Sequence, residues 1–179
     1  MNFFNKIYDN LKSIIKDSKA KQHNENLKLW SNPLHFIAFG FGLGALPVAP
    51  GTWGTLAGVL FYILIVNFHW FSYLLIILAA TIFGVHLCSK VSIDLEVHDH
   101  SGIVWDEIVG YLLTMFLVPL NVYTIVLGFI LFRIFDILKP WPISMVDSKV
   151  KGGLGIMLDD ILAAIPAWFI LQIIIRFIL

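Results

Sequence analysis

Charge is scarce in this chain. Of its 179 residues only 13% are Asp, Glu, Lys or Arg, about half the share found in ordinary soluble domains. Mean hydropathy reaches +0.85. Those values exclude a soluble globular domain and make the chain an integral membrane protein. Cysteine is nearly missing too: Cys88 stands alone, which rules out an intrachain disulfide framework and a thiolate metal cluster. Its setting, VHLCSK, lacks the arginine that a cysteine phosphatase needs six positions on, because Asp94 stands there. Cys88 therefore reads as a buried apolar spectator. No Gly-Lys-Ser/Thr follows the glycine-rich loops, so a Walker loop is absent. The Arg-Pro and Pro-Ser-Gly-His elements of histidine-type lipid phosphatases are missing, as is the Asp-Gly-x-x-Ala-Arg of the headgroup transferases. The first 30 residues hold no apolar run long enough for a signal-peptide core, and no cleaved secretory signal is expected. Neither a nucleic-acid partner nor an obligatory protein partner is expected.

What the chain does contain is apolar sequence in helical lengths. Phe3, Phe4, Ile7, Leu11, Ile14 and Ile15 recur at helical spacing among lysines and asparagines. Residues 1–30 accordingly read as an amphipathic helix and linker, the helix lying either on the membrane surface or against the protein's own surface. Residues 31–179 form the membrane-embedded domain. Within it LHFIAFGFGLGAL, residues 34–46, is too short to cross a hydrocarbon core about 30 Å thick and reads as a re-entrant glycine-rich segment. Five candidate spans follow, near residues 55–67, 70–89, 104–119, 121–138 and 154–179. The expected fold is all-α and polytopic, with some spans short enough to require tilting or packing partly above the membrane.

Alternation of five spans puts the N-terminal tail and residues 89–104 and 138–154 on one side, and the turns NFHW and PLNV on the other. The first side then holds every lysine and Arg133, leaving only Arg176 across the membrane. By the positive-inside tendency that side is cytoplasmic. All the carboxylates beyond residue 30 fall on it as well, at helix ends or in the joining loops. A charge at the centre of a span costs roughly 2.5–3.5 kcal/mol; at the interface it does not.

Four segments meet there. In PVAPGTWGTLAG, a proline–glycine loop enters a helix, and backbone N–H groups around Gly51 and Gly54 with the hydroxyls of Thr52 and Thr55 offer a cradle for phosphate. The same glycines equally serve close helix packing. VHDHSGIVWDEIVG places Asp106 and Glu107 at the head of a span, with His98 and His100 as metal ligands, proton shuttles or neither. LFRIFDILKPWP carries Arg133, Asp136 and Lys139 on one helical stripe. That stripe is either a structural ion-pair ladder or a functional group, with Asp136 on a metal and Arg133 and Lys139 on phosphate oxygens; Trp141 suits an interface belt. GGLGIMLDDILAA brings Asp159 and Asp160. Acids from three spans would repel strongly without a cation among them, and hard oxygen donors suit Mg²⁺. Asp106, Glu107, Asp136, Asp159 and Asp160 are thus the candidate metal ligands. Such a site performs phosphoryl transfer, and at a bilayer surface its natural substrate is a lipid headgroup. The competing reading is an ion-coupled transporter, in which intramembrane carboxylates line a pathway; it places acids near mid-span, whereas these lie at span ends.

GFGLGALPVAPGTWGTLAG, HDHSGIVWDEIVG, FRIFDILKPWPI and GGLGIMLDDILAA, in this order and at these separations, closely resemble bacterial phosphatidylglycerophosphatase A, from about Ser31 to Ala167. The resemblance implies a Mg²⁺-dependent, multi-pass enzyme of the bacterial inner membrane with its active site facing the cytoplasm. It implies hydrolysis of phosphatidylglycerophosphate to phosphatidylglycerol and inorganic phosphate, the step leading towards cardiolipin. The family's acidic positions fall on Asp106, Glu107, Asp136, Asp159 and Asp160, and its loop positions on Gly51, Thr52 and Gly54. Thr55 stands where the family commonly has serine, and keeps the hydroxyl. Asp106, Glu107, Asp136 and Asp160 are taken as catalytic, and Gly51, Thr52, Gly54, Thr55, Arg133 and Lys139 as substrate-binding. The lysine-rich segment before residue 30 lies outside the shared pattern.

Overall fold

A computed structural model describes residues 32–97 and 100–177. The expected N-terminal amphipathic helix and His98 lie outside the described residues. Among the described residues there are seven α-helices, one 3-10 turn and no strand. The α-helices are α1 (Pro33–Ala38), α2 (Pro50–Ile65), α3 (Trp70–Leu95), α4 (Trp105–Thr114), α5 (Val122–Leu138), α6 (Ile143–Lys149) and α7 (Gly152–Phe177), with the 3-10 turn at Leu43–Ala45 between α1 and α2. The all-helical expectation holds.

Two helices, α3 and α7, each of 26 residues, are long and apolar enough to cross a bilayer. At 16 and 17 residues, α2 and α5 reach only about 24–26 Å. All four keep an apolar side exposed: Leu60 and Leu64 on α2, Leu78 and Ile82 on α3, Ile130 and Ile134 on α5, Ile165 and Phe169 on α7. On a soluble protein such faces would be an aggregation hazard, whereas against acyl chains they cost nothing. The chain fits a membrane protein.

The segment expected to span at 104–119 departs most from a membrane-crossing helix. Helix α4 has 10 residues, about 15 Å, half the hydrocarbon thickness. It is enclosed on all sides by α2, α3, α5 and α7, and Ile108, Val109, Tyr111, Leu112 and Thr114 are buried. A helix that ends inside a membrane protein must have its last carbonyls satisfied by protein. Here side chains from the neighbours do this. Tyr73 donates to the Leu112 carbonyl and Tyr62 to that of Val118, both at 2.9 Å. Trp168 Nε1 and Gln172 Nε2 both donate to the Phe116 carbonyl, at 2.7 and 3.1 Å. The broken end is thereby pinned.

The glycine-rich segment at 34–46 is also interrupted. Helix α1 stops after six residues, and the backbone turns through positive φ at Gly40, Phe41 and Gly42 before the 3-10 turn. The Ala38 carbonyl accepts from the amide of Val104 at 2.9 Å, which ties this segment to the residue that opens α4. Small residues allow the helices to approach: a Cβ on Gly54 would lie 2.6 Å from Val104 Cβ, and one on Gly110 2.7 Å from the Phe132 ring. Cys88 is fully buried in α3, as its apolar setting implied. Trp141 is exposed in the Pro140–Pro142 link between α5 and α6.

Candidate active site

One end of this bundle gathers the charge. A pocket of about 320 Å³ is walled by Ala49, Pro50, Gly51, Ser101, Ile103, Asp106, Glu107, Arg133, Asp136, Ile137, Lys139, Asp159 and Asp160. The elements supply these residues by different means. Asp106 and Glu107 lie in the first turn of α4, where the positive end of the helix dipole favours anions. Arg133 and Asp136 come from the last turns of α5. Lys139 caps that helix with a left-handed backbone, φ 40°, and the Pro140 that follows ends it. Asp159 and Asp160 sit two turns inside α7, both buried.

Asp106, Glu107 and Asp160 each offer a carboxylate oxygen, and these oxygens lie within 4.8 Å of one another. Oxygens around an octahedral ion at 2.0–2.1 Å stand about 3–4 Å apart, so small side-chain rotations close the trio on a hard cation. Glu107 Oε2 and Asp160 Oδ2 are buried without a hydrogen-bond partner among the described residues. A buried, unsatisfied carboxylate oxygen is costly, and a divalent ion would satisfy it. Asp136 stands within hydrogen-bonding reach of Asp160, and Asp106 of Glu107. The residues present therefore fit Mg²⁺.

Two cations border the acids. Arg133 Nη1 lies 2.5 Å from Asp136 Oδ2 and 3.8 Å from Glu107 Oε1. Lys139 Nζ lies 2.5 Å from Asp159 Oδ2 and 2.7 Å from Asp147 Oδ1. Burial alone would lower the Lys139 pKa, but hydrogen bonds and charge from Asp147 and Asp159 outweigh it and hold the ammonium above its ordinary value. Five wall carboxylates against two cations leave a formal charge of −3. That excess is what a divalent ion would offset.

Of the loop residues named from the sequence, Gly51 reaches the wall. A Cβ there would overlap Glu107 Oε1 and stand 2.9 Å from Arg133 Nη1, so the absence of a side chain lets the Glu107–Arg133 pair lie against the start of α2. Thr52, Gly54 and Thr55 do not line the pocket. Thr55 turns inward, its hydroxyl donating to the Gly51 carbonyl at 2.8 Å, and Gly54 packs on Val104. These two support the loop through packing, the alternative open for its glycines. His100 stacks on Phe39 at 5.4 Å and accepts from the Gly102 amide at 3.0 Å, outside the wall. The wall also includes Ser101 and Ile103, which sequence reasoning passed over although they sit inside the HDHSGIVWDE motif. Asp147 was missed for a better reason: it reaches Lys139 from a separate helix beyond Pro142, and no spacing rule links the two.

Fold and site together define a helical membrane enzyme whose carboxylate-lined, cation-bordered pocket opens at one end of the bundle. The family profile described as Phosphatidylglycerophosphatase A matches residues 36–175. Phosphatidylglycerophosphatase A of Escherichia coli is 45% identical over 136 residues, covering 75% of this chain and 79% of that one. Its Haemophilus influenzae namesake is 46% identical over 138 residues, covering 76% and 85%. No solved structure matches the chain. The chain belongs to the phosphatidylglycerophosphatase A family and is a phosphatase.

Proposed function

We propose that this pocket hydrolyses the terminal phosphate monoester of phosphatidylglycerophosphate at the cytoplasmic face of the bacterial inner membrane, with Mg²⁺ held by Asp106, Glu107 and Asp160 and flanked by Asp136 and Asp159. The observation that carries the reading is the convergence of those buried and half-buried carboxylates, two with oxygens that find no hydrogen bond among the described residues, beside Arg133. When bound, the ion supplies a Lewis acid that offsets the carboxylates' charge and polarises a phosphoryl oxygen. The protein's own residues do the rest. Arg133 presents a planar fork of donors that orients phosphoryl oxygens, and Lys139 adds a point charge at the pocket's edge. Gly51, having no side chain, lets the Glu107–Arg133 pair lie against the start of α2, which holds the guanidinium at the wall of the pocket. Water attacks phosphorus in line with the ester oxygen, a wall carboxylate takes the proton, the P–O ester bond breaks, and the leaving alkoxide is protonated to the lipid alcohol.

Exposed apolar side chains flank the pocket in sequence: Val48 beside Ala49, and Ile137 and Leu138 before Lys139. They favour a substrate whose acyl chains remain in the bilayer while its headgroup enters. An ion pathway is less favoured, because Asp106 and Glu107 begin α4 and Asp136 ends α5. The test is phosphate release from phosphatidylglycerophosphate by the purified full chain, with and without Mg²⁺, alongside Asp106→Asn. Activity only with the ion, lost in the folded variant, is expected. Release that persists in excess chelator would overturn the mechanism.

A further inference from the structure

Lys139 Nζ donates to two carboxylates of different standing. Asp159 Oδ2, at 2.5 Å, belongs to the pocket wall, and its side chain is 8% exposed. Asp147 Oδ1, at 2.7 Å, comes from α6, outside the wall, with a side chain 42% exposed. With both partners engaged, the trio carries a formal charge of −1, and a phosphate approaching Lys139 meets a site already filled by an anion. One partner can leave cheaply. Asp159 is enclosed by the pocket, whereas Asp147 sits on a helix of seven residues and can turn into water, and exposed ion pairs hold weakly.

We propose that Asp147 is a tethered competing anion that occupies Lys139 in the empty pocket, yields to the substrate's phosphate and returns to help expel inorganic phosphate. The inference rests on the reading of the pocket as a phosphatase site. Asp147 acts only through Lys139 and is a positioning residue, with no contact to the reacting atoms. The device has a physical use. A phosphate monoester or free phosphate carries nearly two negative charges at neutral pH, and a site of Arg133, Lys139 and a divalent ion would otherwise retain its product. Binding substrate and product more weakly by one factor raises KM without touching the chemical step.

The experiment compares the full chain with Asp147→Asn and Asp147→Glu in lipid–detergent micelles. It measures KM and kcat on phosphatidylglycerophosphate, inhibition by inorganic phosphate, and calorimetric binding of inorganic phosphate without substrate. For D147N, KM and the phosphate inhibition constant are both expected to fall about twofold to fivefold, the strength of an exposed ion pair, with kcat not raised. D147E should restore the wild-type values. A rise in KM in D147N would overturn the proposal, because it would mean that Asp147 holds Lys139 ready for substrate. So would equal tightening by D147N in a Lys139→Gln background, which would show a long-range field instead of competition for one ammonium. Should the wild-type chain release no phosphate at all, the functional reading fails, while calorimetry still tests the competition: tighter phosphate in D147N sustains it and unchanged affinity removes it.

Discussion

Gly51→Ala separates catalysis from stability. The residue is buried in the first turn of α2, and a Cβ there would overlap Glu107 Oε1 and lie 2.9 and 3.2 Å from the two terminal nitrogens of Arg133. Two opposing effects on stability follow. Alanine is preferred over glycine inside a helix by about 1 kcal/mol, and overpacking a filled space costs about 1–3 kcal/mol. The net loss is then about 0–2 kcal/mol, which the fold should survive. For the chemistry nothing offsets the intrusion. Regaining a normal contact of roughly 3.5 Å moves the Glu107–Arg133 pair by about 1 Å, and displacement of that size costs about a hundredfold in turnover. The assay is phosphate release per folded molecule, with thermal denaturation in parallel. Gly58→Ala is the control: its Cβ would meet Tyr111 Cβ at 3.0 Å, away from the pocket wall, so it should lose stability of similar size and keep its turnover. Wild-type turnover in G51A would refute the idea that the close approach of Gly51, Glu107 and Arg133 organises the site.

Arg133→Met should destabilise the protein by about 3–5 kcal/mol, since Asp136 and Glu107 would lose the cation that accompanies them inside the fold; denaturant titration checks this, and Arg133→Lys should recover part of it. Asp160→Asn should abolish phosphate release while leaving metal-free thermostability equal or higher, because it removes one of several crowded buried charges. In the same assay Mg²⁺ at a hundred times its dissociation constant should stabilise the wild type by about 2.7 kcal/mol and D160N far less. Tyr73→Phe should cost about 1–3 kcal/mol by stranding the Leu112 carbonyl at the end of α4, and hydrogen exchange should report earlier opening of that helix.

The sequence carried some elements almost to the residue and others not at all, for identifiable reasons. The expected spans at 70–89 and 121–138 begin where α3 and α5 begin or one residue before, because His69 in the NFHW turn caps α3 by accepting from the Phe71 amide and Asn121 caps α5 by accepting from the Tyr123 amide. These are local signals. The end of α4 was invisible because the groups that stabilise it, Tyr62, Tyr73, Trp168 and Gln172, are remote in sequence, and an apolar run reads the same whether it crosses a bilayer or stops within a bundle. Convergence of the acids was legible, since alternation of helices places their charged ends together. What each polar residue does locally was not: Thr55 and Thr52 share a motif with Gly51, yet only the backbone's turn into α2 decides that Gly51 faces the pocket.

The distribution of charge around the pocket follows the helices only in part, and the exception is informative. Asp106 and Glu107 sit at the positive end of α4, and Lys139 caps the negative end of α5, so the helix dipoles already favour each of these charges. Asp159 and Asp160 receive no such support, since they stand two turns inside α7 and are 6% and 3% exposed. Asp159 is compensated by Lys139. For Asp160 the neighbours are mainly other carboxylates, and one of its oxygens has no hydrogen bond among the described residues. A leucine or methionine there would cost the fold less than this aspartate does. A charge held at a net expense in a buried position is justified by what it binds, and its oxygen shares a cluster with oxygens of Asp106 and Glu107. Asp160 is therefore the residue on which the proposed metal-dependent chemistry would most directly depend.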